Sequence, residues 1–266
     1  LCYIILYPFF VKTVNAFKSL SDFSDPTVRF IPREPTMDYI VRVFKAMDYP
    51  TAFLQTVVVS LMTAVLQTVV CIIGGYGFAR FKFRGRNILF FLVILTLLVP
   101  PETLRTPLFV TFSSLNMIDT LLPFAILSAT GMGLRNGLYI FMFRQYFRNV
   151  PRELEEAAYI DGCGTFKTFY RVIAPSATAI AVTVFLLSFS WQWTDTFYSG
   201  LFYQEMPIMA NAVNNMTIPD STITDPIIRS TLVNTAAMLA ILPLLVLYLF
   251  AQRLFVESVE RSGIVG

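Results

Sequence analysis

Long apolar runs separated by short polar stretches dominate this chain. The sequence stays largely apolar from Thr51 to Phe78, and comparable runs cover about residues 87–103, 121–147, 175–198 and 229–250. Each approaches or exceeds the roughly 20 residues that a helix needs to cross a bilayer. A shorter run from Leu1 to about Phe17 reads as the outer half of one more helix, whose inner half would lie upstream of the numbering. It has neither a basic start nor a small-residue cleavage site, so it is not read as a signal peptide. The pattern predicts an all-α chain with six membrane-spanning helices, one membrane domain over residues 1–266 with its core at 51–253.

The interruptions carry further expectations. Residues 18–50 are mixed and polar and include Pro26, Pro32, Pro35 and Pro50. Within them Tyr39, Ile40, Val43, Phe44 and Met47 recur at helical spacing, which predicts a short amphipathic helix lying on the membrane surface. Gly74, Gly75 and Gly77 near the end of the second span allow close approach of a neighbouring helix. Pro100 and Pro101 should kink or end the third span. Gly131, Gly133, Arg135, Asn136 and Gly137 make the centre of the fourth span polar.

Charge then orients the spans. Arg80, Lys82, Arg84 and Arg86 crowd the connection after the second span, and Arg144, Arg148, Arg152, Lys167 and Arg171 flank residues 146–174. By the positive-inside rule both connections are cytoplasmic, the loops at 18–50, 102–120 and 199–228 are external, and the tail from Gln252 is internal. Arg29, Arg33, Arg42 and Lys45 on the outer side reduce the asymmetry.

Composition excludes several alternatives. With 56% hydrophobic and 14% charged residues the chain carries more apolar surface than a soluble domain can bury, so lipid must cover the excess. Cys2, Cys71 and Cys163 have no metal or redox spacing and histidine is absent. The net charge of +3 is scattered among the spans, which gives no nucleic-acid footprint. No internal repeat is evident, which counts against a secondary transporter. No GxxxxGK[ST] phosphate loop occurs, so the chain has no nucleotide site of that type.

The connection at 146–174 has its own local logic. Pro151 suits a first helical turn, and Glu153, Glu155 and Glu156 suit the positive end of a helix dipole. Gly162 can take the left-handed conformation that closes the helix, and Thr165 can cap a second helix running into Pro175. Helix, turn, helix outside the bilayer is expected, with Ala157 and Ala158 as a flat seat for another protein. Read on spacing alone, a solvated connector is equally open.

Glu156-Ala157-Ala158, three residues, Gly162, nine residues, then Val172-Ile173-Ala174-Pro175 resembles the EAA loop of binding-protein-dependent ABC importer permeases. The family usually has isoleucine at the Val172 position and leucine at the Ala174 position. Tyr76-Gly77-Phe78-Ala79-Arg80, Phe83-Arg84-Gly85-Arg86, Leu115 to Leu122 with Asp119-Thr120, and Ile160-Asp161-Gly162 resemble the sugar-importer permeases of the maltose-transporter MalG type. Trp193-Thr194-Asp195 stands where that family often has Trp-Asn-Asp, and the tail from Ser262 to Gly266 where it often has Gly-Ala-Val-Lys-Gly.

The resemblance implies a type I ABC importer permease fold in a bacterial or archaeal cytoplasmic membrane. It also implies that Glu156, Ala157, Ala158, Asp161 and Gly162 couple the spans to an ATPase. Expected partners are a second homologous permease, two ABC ATPase subunits, an extracytoplasmic solute-binding protein and the lipid bilayer. ATP and Mg are expected in the ATPases, with no cofactor on this chain. A peptide, amino acid or phosphorylated polyol as cargo stays open, as does a secondary transporter or channel.

Sugars are held by aromatic faces and by polar groups that replace hydroxyl hydration. Trp191, Trp193, Asp195 and Tyr198 in the fifth span offer both, although tryptophan and tyrosine also anchor helices at the membrane boundary. Arg135 with Asn136 is the other candidate, since a lipid-facing arginine at that depth costs about 2.5 to 3.5 kcal/mol on insertion scales. The external loop with Asn211, Asn214 and Asn215 is a candidate contact for the binding protein.

Overall fold

The computed structural model describes residues 2–25, 27–28, 30–216 and 225–263, and every regular element among them is helical. In chain order these are α1 (Cys2–Ala16), α2 (Leu20–Ser24), α3 (Asp38–Ala46), α4 (Tyr49–Arg80), α5 (Arg86–Leu95), a 3-10 turn (Pro101–Leu104), α6 (Arg105–Ser114), α7 (Leu122–Ala129) and α8 (Asn136–Asn149). There follow α9 (Glu153–Ile160), α10 (Thr165–Thr168), a π turn (Phe169–Ile173), α11 (Ala174–Ser176), α12 (Thr178–Trp193), α13 (Phe197–Phe202), α14 (Met209–Asn215) and α15 (Pro226–Gly263).

Among the described residues two helices are long and apolar enough to cross a membrane, Tyr49–Arg80 and Pro226–Gln252 within α15. A third candidate is the pair Thr165–Ser176 and Thr178–Trp193, bent by 75° at the break between them. The remaining predicted spans are made of shorter pieces. α5 ends at Leu95 rather than at the prolines, because Leu97 and Leu98 bond back to Ile94 and Leu95 (3.0 and 2.9 Å) and wind the chain into tight turns ahead of Pro100. The predicted fourth span divides into α7 and α8, with left-handed backbone at Gly131 and Arg135 in the break. Arg135 and Asn136 therefore sit at a helix start, and the expectation of one continuous helix over 121–147 is corrected.

The chain forms two compact units. In the first, Leu1–Thr56 with Tyr203–Leu247, residues Tyr39, Val43 and Met47 pack with Met209, Ala212, Ile228, Leu232 and Ala236. Met209 N–H donates to Thr56 Oγ1 (2.9 Å) and the Tyr49 hydroxyl donates to the Leu239 carbonyl (3.1 Å), which ties α4 to α14 and α15 there. The amphipathic helix of the sequence reading is α3, but Tyr39, Val43 and Met47 are buried in this core instead of facing lipid. Helical spacing marks an apolar face without naming what covers it.

In the second unit, Val57–Phe202 with Tyr248–Gly266, the core joins Cys71 and Tyr76 of α4, Tyr139, Ile140, Phe143 and Phe147 of α8, Ile173 and Val184. α4 and α8 cross at Gly75. A Cβ there would collide with Phe143 Cβ and lie 2.9 Å from the Arg144 backbone nitrogen, so only glycine admits this approach. Many large side chains of this unit face outward, among them Ile88, Phe91 and Leu92 of α5, an apolar surface suited to lipid and not to water.

Candidate functional site

The segment read as a coupling loop folds as helix, turn, helix. Pro151 precedes α9 rather than opening it; Arg152 is the N-cap and Glu153, Glu155 and Glu156 fill the first turn. At the other end Gly162 is left-handed at φ 78°. Gly162 N–H donates to the Tyr159 carbonyl (3.0 Å) and Cys163 N–H to the Ala158 carbonyl (2.9 Å), the paired bonds of a Schellman cap. Gly164, not Thr165, is the N-cap of α10. From Thr165 the chain continues through the π turn and α11, then bends by 75° into α12.

Two features of this segment are illegible in the spacing. Arg80 Nε, at the end of α4, pairs with Glu155 Oε1 at 2.9 Å, with side chains only 7% and 13% exposed. Arg80 Nη2 also donates to the Val150 carbonyl (2.6 Å), so one guanidinium clamps the start of α9 to the end of the long apolar helix. The outward surface also differs from the flat alanine seat. Glu156, Ala157, Asp161 and Gly162 are exposed, but Ala158 is buried, and the most exposed large side chains beside them are Ile160, Phe166 and Tyr170.

The second candidate site is a cavity of about 460 Å³ against the break between α7 and α8. Arg135, Asn136, Thr96, Leu104 and Tyr198 are among its lining residues. The Arg135 guanidinium stacks 3.6 Å from the centroid of the Trp191 ring. Both amide atoms of Asn136 are buried without a hydrogen-bond partner among the described residues. Gln67 of α4, which the sequence reading passed over, donates from Nε2 to the Leu134 carbonyl (3.1 Å) and accepts from Ser188 Oγ of α12. It satisfies backbone that the break frees, as polar side chains must where helices are interrupted away from water. A glutamine in the middle of a largely apolar run, well inside the span, is the available signal.

Trp193 and Asp195 do not line this cavity. Trp193 is buried and packs on Phe189 with ring centroids 5.7 Å apart. The Asp195 carboxylate accepts from the backbone N–H of Phe197 (3.3 Å) and of Ser199 (2.9 Å) and from the Ser199 hydroxyl (3.3 Å), so it caps α13. In the first unit, Asn211 is buried while Asn214 and Asn215 are exposed on α14, and positions 217–224 of the loop expected to be external lie outside the described residues. Ile264 to Gly266 of the tail motif lie outside them as well, and of the tail side chains from Arg253 nothing is described.

Comparison with known proteins identifies the family. Residues 71–261 match the model of the family described as binding-protein-dependent transport system inner membrane component. The arabinooligosaccharides transport system permease protein AraQ of Bacillus subtilis is 29% identical, covering 80% of this chain and 73% of its own length. The maltodextrin transport system permease protein MalD of Streptococcus pneumoniae is 27% identical over 99% of this chain and 91% of its own. A crystal structure of a bacterial ABC transporter involved in the import of the acidic polysaccharide alginate superposes with a TM-score of 0.75 at 20% identity, covering 95% of this chain and 91% of that one. The chain belongs to the binding-protein-dependent transport system inner membrane components, the integral membrane permeases of ABC importers.

Proposed function

We propose that this chain is a transmembrane permease subunit of an ABC importer that moves a sugar or oligosaccharide into the cytoplasm. An extracytoplasmic binding protein delivers the cargo, a second similar permease completes the pathway, and two ATPase subunits hold the ATP and Mg. The observation that carries this reading is α9, a short capped helix with an exposed rim of Glu156, Ala157 and Ile160, followed by the exposed Phe166 of α10 and pinned by Arg80 to the end of an apolar helix. A rigid protrusion fixed to a span is what ATPase closure needs in order to move that span. Relatives named for arabinooligosaccharide, maltodextrin and melibiose/raffinose/stachyose transport support a carbohydrate as cargo. The test is to measure which ligands the cognate binding protein holds. A sugar or oligosaccharide is expected; a peptide, an amino acid or a phosphorylated polyol would reassign the cargo.

The six-span topology in the cytoplasmic membrane belongs to the same proposal, with α9 inside and α14 outside. Single cysteines at Gly85 and Thr165 should be shielded from an impermeant thiol reagent added to intact cells, and one at Asn214 should react. Opposite labelling would overturn the orientation.

Arg135 and Asn136 are the side chains we assign to the pathway, with Trp191 holding the guanidinium in place. Trp193, packed on Phe189, and Asp195, capping α13, fix the end of the helix that carries Trp191. A cation stacked on tryptophan is stabilised by about 0.5 to 2 kcal/mol, so Arg135→Ala should release the arginine's hold on the cavity without unfolding the chain. Substrate-stimulated ATP hydrolysis should fall on the order of tenfold, about 1.4 kcal/mol, with the complex still assembled in the membrane. Loss of assembly instead would make Arg135 a structural residue.

A further inference from the structure

A second polar cavity, of about 680 Å³, lies in the unit formed by Val57–Phe202 and Tyr248–Gly266, away from the break between α7 and α8. Arg80, Lys82, Arg86, Arg144, Arg148 and Arg152 line it, and among the described residues no carboxylate does. Glu155 offsets Arg80 from beside it, but Arg86 and Arg148 lie close enough to Arg144 for their like charges to act on it. Arg144 stacks 3.8 Å from the centroid of the Phe90 ring, and its Nε is buried without a hydrogen-bond partner among the described residues. Six cations sharing one hollow repel one another, and a buried guanidinium N–H left unpaired costs free energy, unless an anion with several acceptor oxygens occupies the space.

The surroundings indicate which anion. A neighbouring hollow of about 340 Å³ shares Lys82, Arg86 and Asn87 with the basic cavity and continues to Ile88. From there the exposed side chains of Leu89, Phe91 and Leu92 extend along α5. Basic groups that give way directly to exposed apolar surface match a molecule with a phosphate at one end and hydrocarbon at the other. We propose that this cavity is a binding site for the phosphate headgroup of an anionic phospholipid, with the acyl chains against α5. Bound there, the lipid would brace α5 and α8 beside the start of α9. The inference requires a membrane interface at this cavity but neither sugar nor ATPase, so it stands or falls separately from the importer reading.

The test uses the purified full chain in an uncharged detergent, titrated with phosphatidylglycerol, phosphatidylcholine or inorganic phosphate and followed by native mass spectrometry and thermal melting. Phosphatidylglycerol should bind at least about tenfold more tightly than phosphatidylcholine, raise the melting temperature by several degrees, and lose its advantage as salt is added. The pair Arg148→Gln with Arg152→Gln should weaken phosphatidylglycerol binding about thirtyfold, from about fivefold per basic residue, while Arg148→Lys with Arg152→Lys retains most of it. Equal binding of the two lipids, a preference insensitive to salt, or undiminished binding by the glutamine pair would overturn the site. Inorganic phosphate matching phosphatidylglycerol at equal concentration would overturn the lipid and leave a free phosphate site. The comparison of lipids on the unaltered chain decides the matter even if the glutamine pair does not fold.

Discussion

A Gly162→Val chain should insert into the membrane and pair with its partner permease, yet fail to transport. The left-handed backbone at φ 78° costs a non-glycine residue about 1 to 2 kcal/mol, and a β-branched side chain is the poorest occupant. A Cβ at this position meets nothing within 4 Å, so the strain is in the backbone alone and no packing defect confuses the result. Escaping it means giving up the bonds from Gly162 to Tyr159 and from Cys163 to Ala158, each about 0.5 to 1.5 kcal/mol. An eight-residue helix has little stability of its own against such losses. The end of α9 should therefore fray while the apolar helices keep their packing. Expected are loss of uptake of at least about tenfold and ATP hydrolysis that ignores substrate, measured on purified complex of unchanged subunit stoichiometry. Gly162→Asn, which tolerates the left-handed region, should keep most activity. Glu156→Lys should act in the same direction as valine by placing the wrong charge at the helix start. Full substrate-coupled transport in both Gly162→Val and Glu156→Lys would make this loop a mere connector.

Breaking the clamp at the other end of α9 should cost more. Arg80 and Glu155 are nearly buried, so Arg80→Ala or Glu155→Ala strands one charge, a loss of about 3 to 5 kcal/mol for a buried pair. Losing Arg80 also leaves the Val150 carbonyl without its donor. Each single variant should melt at a lower temperature and lose transport. The double variant Arg80→Leu, Glu155→Leu should regain much of the stability, because no charge is left unpaired, but not the transport, because the rigid link is gone. A double-mutant cycle on melting reads the coupling directly. Additive single effects would mean that the two side chains act independently and that the clamp is not a unit.

The legibility of the site in the sequence follows from how local each feature is. The helix start at the acidic run of Glu153 to Glu156 and its stop at Gly162 depend only on neighbouring residues, and both are in the structure within about two residues. The Arg80–Glu155 pair joins distant positions, and charge counting gave Arg80 a topological meaning only. Hydropathy likewise averages over a window, so it recorded that residues 131–137 are polar without distinguishing a polar helix centre from a break. Asp195 illustrates the same limit: an acid in an apolar stretch reads as a pathway residue until its carboxylate is seen capping α13. Ala157 and Ala158 look alike in the sequence, but they differ by about 100° around the helix, and here that turn takes Ala158 into the core.

The most direct measurement is uptake by the purified chain reconstituted into proteoliposomes with its partner permease, its ATPase subunits and the sugar-loaded binding protein. The labelled sugar should accumulate inside vesicles only when ATP is on the side of α9 and the binding protein on the side of α14, and Gly162→Val should abolish accumulation without dissociating the complex. Accumulation that is independent of ATP, or that survives intact in the valine variant, would contradict the coupling role of this helix.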